Sequence, residues 1–207
     1  MPKSVLFIPC AIAFGCGLAV VSIYTVLPVG WIGGLGLIGW TLVSRRRWAK
    51  LQATTGLEPG GPERKVRFNA VGIALLFGHS VIGYAFPEID LHVGNGNFLA
   101  IDSWTMIVAM FIASFIFQQD KKIQDERDVS ITARGTKAGY LTLITLLVVS
   151  SLALGVLPPR YIPTLSYFVL GNIQITVILA SLLVKFSVQL IEYAKDTDAA
   201  FALETDE

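Results

Sequence analysis

Charge is scarce in this chain, and the scarcity is uneven. Of 207 residues, 15% are charged and 54% hydrophobic. Soluble domains carry about 25% charged residues. Five stretches hold no Asp, Glu, Lys or Arg at all: Ser4–Ser44, Phe68–Pro87, Ser103–Gln119, Ala138–Pro159 and Tyr161–Val184. Such runs exclude an ordinary water-soluble domain. About 20 apolar residues cross a hydrocarbon core of about 30 Å. The first stretch, 41 residues long, holds two crossings. Six membrane-spanning helices are therefore predicted.

Other residues are nearly missing too. There are two cysteines, Cys10 and Cys16, both in the first apolar run. Six positions apart, they lie on different faces of a helix, which argues against an intrachain disulfide. They read as small packing residues. Cys16 follows Gly15, as in a lipoprotein signal, but Ala13-Phe14 fits that signal poorly and the apolar run continues past the cysteine. The run is also longer than the apolar core of a cleaved signal peptide. GxSxG, HExxH, CxxC and a glycine-rich phosphate loop are all absent, so no familiar catalytic motif supports an enzyme. No enzymatic activity is expected.

What is present is a segregated set of basic residues. Of the 16 Lys and Arg, one lies before the first span, seven between Ser44 and Arg67, five between Gln118 and Lys137, and two after the sixth span. Only Arg160 falls on the other side. Basic residues stay cytoplasmic, so both termini are expected inside. The chain then divides into an N-terminal hairpin (residues 1–43), a basic cytoplasmic loop (44–67), a four-helix core (68–195) with an inner loop at 118–137, and an acidic tail (196–207) expected to be disordered. The fold class expected is all-α integral membrane, six helices as three hairpins. The setting expected is a cytoplasmic membrane. Lipids are the first partners, and the basic loop would attract anionic headgroups. Topology alone demands that charge, so no nucleic-acid partner is inferred from it.

Several segments are singled out within this frame. Leu27-Pro28-Val29-Gly30 breaks the first hairpin. The second span is glycine-dense, with Gly30, Gly33, Gly34, Gly36 and Gly39. Small residues let helices pack closely in lipid, so this helix is the candidate packing and oligomer surface. Trp31 and Trp48 would mark the interfaces. Gly94 to Asn97, between short apolar runs, suggests an outer β-hairpin, with Asp102 and Ser103 as N-caps of the fourth span. The sixth helix is expected to continue through Lys185–Lys195 as an amphipathic tail along the inner surface.

The string Asp125-Glu126-Arg127-Asp128, followed by Ala133-Arg134 and Ala138-Gly139-Tyr140, resembles the uncharacterised prokaryotic membrane proteins in which two helix hairpins flank a cytoplasmic Asp-Glu-Arg-Asp/Glu segment. The resemblance covers about Arg67 to Lys195 and makes the first hairpin an addition. It implies topology and no chemistry.

Four candidate sites follow. Asp125, Glu126, Arg127, Asp128 and Arg134 would form a docking surface for a cytoplasmic partner, or ion pairs that fix the loop. Asp128 or Ser130 would cap the fifth helix. His79, the single intramembrane histidine, would ligate haem or a pigment, or would bond to a neighbouring helix at Asn172 or Ser166. The second is preferred, and no cofactor is expected. Glu88, Asp90 and His92 alternate as ligands on one strand face would, but without a specific metal spacing. Asn172, Gln174, Thr176 and Ser181 read as polar links between helices. The function expected is that of an accessory, regulatory or oligomer-forming membrane subunit. A small-solute or ion transporter is the alternative, and a haem or pigment carrier the second.

Overall fold

The computed structural model describes residues 6–25, 27–55, 60–85, 98–117, 125–156, 158 and 167–204. Six α-helices account for nearly all of them: α1 Phe7–Thr25, α2 Gly30–Thr55, α3 Gly61–Ala85, α4 Leu99–Phe117, α5 Glu126–Gly155 and α6 Tyr167–Glu204. No strand occurs among the described residues. Four helical segments are long and apolar enough to cross a membrane: α1, α3, α5 and Val169–Lys195 of α6. In α4 the apolar stretch is shorter, Leu99–Phe115. In α2 it ends where Arg45, Arg46 and Arg47 begin. Helix is the form that keeps every backbone polar group bonded in lipid.

α3 is the central helix. It packs against α1, α4 and α6, while α2 lies on α4 and α5 lies on α6. Over its apolar window 56% of α3 is buried, against 6% for α5. Consecutive helices α1 and α2 barely meet, so the N-terminal pair is woven into the bundle helix by helix. Ile8 of α1 joins Val66, Ala70, Ile131, Leu190 and Tyr193 in one buried cluster. Leu37 of α2 joins Phe68 and Ala113 in another.

Backbone proximity explains the α1–α3 contact. A Cβ at Gly15 would sit 2.1 Å from the Leu75 carbonyl oxygen, and one at Gly78 would sit 2.2 Å from that of Ile12. Cys16 Sγ also donates to the Gly78 carbonyl at 3.2 Å. Both cysteines are free thiols.

Several expectations are corrected by these boundaries. The basic segment 44–67 is largely helical, because α2 continues to Thr55 and α3 starts at Gly61. Trp48 is buried beside the Arg64 guanidinium rather than marking an exposed interface. Of the apolar run Phe98–Ile101, which follows Gly94–Asn97 and was expected to be a hairpin strand, Leu99–Ile101 form the first turn of α4. Gly94–Asn97 lie outside the described residues. Lys185–Lys195 does not lie along a surface. It continues α6 as expected, but with Gln189, Leu190 and Tyr193 buried in the bundle, since α3 and α5 extend far enough to cover its apolar face. The acidic segment after Asp196 is helical as far as Glu204. Its run of Ala, Phe and Leu favours propagation of a helix that already exists.

Candidate functional site

Two arrangements of polar side chains stand out, one at each end of the bundle. The first lies where α2 begins. Its first turn has no Ser, Thr, Asn or Asp before it to satisfy the free N–H groups. The need is met from another helix. The Gly30 amide donates to Asp102 Oδ1 at 2.8 Å, and Asp102 is 1% exposed. A carboxyl there also faces the positive end of the α2 dipole. The expectation that Asp102 and Ser103 cap α4 is thus corrected: α4 starts at Leu99, and Asp102 caps α2 instead. One sequence signal pointed this way. The uncapped start after Pro28 and the single acid at the head of α4 fall on the same side of the predicted topology.

Ser103, the next residue, has a different task. Its Oγ lies 3.2 Å from His79 Nδ1. His79 is 2% exposed. The histidine therefore bonds to a neighbouring helix as expected, but through Ser103 on α4. Asn172 lines the cavity beside His79, and Ser166 lies outside the described residues. That cavity, about 420 Å³, sits between α3, α4 and α6. His79, Ser80, Ser103 and Asn172 are its polar lining, and Leu76, Ile107 and Leu179 are among its apolar walls. His79 Nε2 and Asp102 Oδ2 are buried without a hydrogen-bond partner. Buried polar atoms are nearly always paired, and these two belong to facing helices joined by the Ser103–His79 contact.

The second arrangement is the Asp125–Arg134 string. Asp125 is the N-cap of α5, and its Oδ1 accepts from the Asp128 amide at 2.8 Å. Capping thus falls to Asp125, not to Asp128 or Ser130. Asp128 Oδ1 accepts from the Tyr193 hydroxyl at 2.8 Å, and the Arg127 guanidinium lies 5.8 Å from the Tyr193 ring centroid. Arg134 donates to Glu192 at 2.6 Å, and Lys195 reaches the same carboxylate at 3.1 Å. Glu126 is exposed. The string clasps the N-terminal end of α5 to α6. Gly135 and Gly139 continue that contact, as a Cβ at either would meet α6 within 3.0 Å. This small-xxx-small spacing is a weaker signal in the sequence than the denser glycines of α2.

Those α2 glycines divide. Gly30 touches the Asp102 backbone, Gly33 faces Leu18 and Met106, and Gly34 faces Ala109. Gly36 is exposed, and a Cβ at Gly39 would enter open space. Three of the five thus serve packing inside the chain. On α6, Thr176 bonds to Tyr84 of α3 at 2.8 Å, Ser181 bonds back to its own helix, and Gln174 is exposed. Glu88, Asp90 and His92 lie outside the described residues, among which no cluster of three metal-ligating side chains occurs.

Compared with known protein families, with curated proteins and with solved structures, the chain matches none.

Proposed function

We propose that the protein is a six-span protein of the prokaryotic cytoplasmic membrane, with both termini inside, and that it acts without catalysis, as an accessory or oligomer-forming subunit working through helix contacts. The segregation of basic residues supports the orientation. The likeness carried by the Asp125 string agrees with it. The observation that carries the functional reading is the outer face of α5. Beyond Gly139 this helix exposes Tyr140, Leu141, Val148, Val149 and Leu152, each more than half exposed. Its main packing partner is α6, where Gln174 is exposed as well. Lipid can cover the apolar residues, but it offers an amide no good hydrogen-bond partner. A second helix satisfies both.

The clasp narrows the reading further. Most side chains of the Asp125–Arg134 string bond within the chain, so the proposed contact surface moves from the inner loop to the α5–α6 face. A transporter would need a polar route across the bundle. Beneath the His79 cavity, Leu18, Leu75, Leu76 and Met106 pack together instead.

Disulfide crosslinking in native membranes tests this. In a Cys10→Ser, Cys16→Ser background, Val148→Cys should give a crosslinked species on oxidation, whereas Phe111→Cys on α4 should not. Equal, lipid-like accessibility at both positions with no crosslink at Val148 would remove the contact reading.

A further inference from the structure

We propose that the cleft between α1, α2, α3 and α6 binds one anionic phospholipid, with its phosphate held by Arg47 and Arg67. The cleft, about 540 Å³, lies at the end of α2 where the charge-free run stops and Arg45, Arg46 and Arg47 begin. The inference rests on α2 crossing the membrane, which brings this end to the bilayer surface, and on no contact made by α5. The lining changes character along its length. Phe7, Trp40, Val43 and Val71 form apolar walls, while Ser44, Arg47 and Arg67 form the polar end. Arg47 is exposed, and no carboxylate among the described residues pairs with it. The Arg67 side chain is 30% exposed. Its Nε and Nη2 donate to Glu63, which leaves Nη1 to donate to a second acceptor.

Charge selects the occupant. An uncharged acyl chain suits the walls but gives the two guanidinium groups no anion. A soluble phosphate suits the guanidinium groups but leaves Phe7 and Val43, 47% and 55% exposed, uncovered. A phospholipid satisfies both, because guanidinium bonds phosphate oxygens well and the acyl chains run on from the cleft into the bilayer. The sign of the surroundings then favours an anionic headgroup over a zwitterionic one. From Ser44 to Thr55, α2 carries Arg45, Arg46, Arg47 and Lys50 and no acid. Glu63, the acid in the first turn of α3, already serves Arg67. A choline or ethanolamine cation would sit in that positive field without a counter-charge. Basic pockets between spans on the cytoplasmic side take anionic headgroups for this reason.

The test is native mass spectrometry of the full-length protein in a non-ionic detergent, titrated with dioleoyl-phosphatidylglycerol. The wild type should retain one lipid saturably and should bind dioleoyl-phosphatidylcholine more weakly. Arg47→Gln should weaken the phosphatidylglycerol adduct about fivefold, equivalent to the ~1 kcal/mol that a basic residue contributes near a membrane surface. Arg46→Gln removes the same charge about 100° round the helix, outside the cleft, and should bind as the wild type does. Val43→Trp keeps every charge, fills the apolar end and should also weaken binding. All three positions are exposed, so the variants should fold. Equal losses in Arg46→Gln and Arg47→Gln would mean diffuse attraction to a basic surface. Equal affinity for the two lipids would mean lipid filling a gap between helices, and full displacement by inorganic phosphate would mean a site for a soluble anion. Each of these outcomes overturns the proposal. Detergent leaves both ends of the bundle open, so the titration does not depend on orientation, and labelling of Lys50→Cys reports separately on the crossing of α2.

Discussion

The Asp102 carboxyl on α4 accepts the Gly30 amide of α2 at 2.8 Å, 72 residues away in sequence. The contact fixes two parallel helices at their shared end. It also dictates glycine at position 30, since a Cβ there would fall 2.4 Å from the Asp102 Cα. One bond thus sets both the depth and the spacing of the α2–α4 pair.

Removing that acceptor should destabilise the bundle. Asp102→Ala leaves the buried Gly30 amide unpaired, a loss of about 1–3 kcal/mol. Asp102→Asn keeps an amide oxygen in place and should cost less. Thermal unfolding in detergent, followed by circular dichroism, ranks the two. If both variants melt together with the wild type, the cap contributes nothing.

Glycines at the α1–α3 contact should be far less tolerant than those in open space. Gly78→Ala forces a methyl toward the Ile12 carbonyl and should cost about 1–3 kcal/mol through overpacking. Gly17→Ala meets nothing within 4 Å and should be neutral or slightly stabilising, since alanine favours helix. The same unfolding measurement separates them, and equal losses would contradict the packing described.

Within the α5–α6 clasp, Tyr193 matters more than Arg134. Tyr193→Phe removes the hydroxyl bonded to Asp128 at a residue only 3% exposed, a loss of about 1 kcal/mol. Arg134→Ala should be near neutral, because its guanidinium is largely exposed and screened. A double-mutant cycle of Tyr193→Phe with Asp128→Ala should show coupling. Simple additivity would mean the hydroxyl bond is not formed.

Orientation follows from cysteine labelling in a Cys10→Ser, Cys16→Ser background. Lys50→Cys and Glu126→Cys should react with a membrane-impermeant maleimide only from the cytoplasmic side, and Leu27→Cys only from the outer side. Labelling of Lys50→Cys and Leu27→Cys from one side would break the predicted crossing of α2.

The apolar runs determined much by themselves. Their length and lack of charge located all six helices, because a backbone in hydrocarbon has few other ways to pair its polar groups. Pro28 and Gly30 placed the first break correctly. Helix ends in the polar regions were misplaced, because α2, α3, α5 and α6 continue past the charge-free windows where water and neighbours both tolerate helix.

What the sequence alone could not reveal is which helix meets which. Spacing along the chain predicts hairpins, yet α1 pairs with α3 and α2 with α4. That choice belongs to three-dimensional fit. Gly15 and Gly78 allow two backbones to approach, and Asp102 supplies the cap that Gly30 lacks locally. The same geometry brings Ser103 to His79. Hydrophobicity is a property of each segment, so it can be read residue by residue. Close packing and a shared hydrogen bond are properties of pairs, and they exist only once the chain has folded.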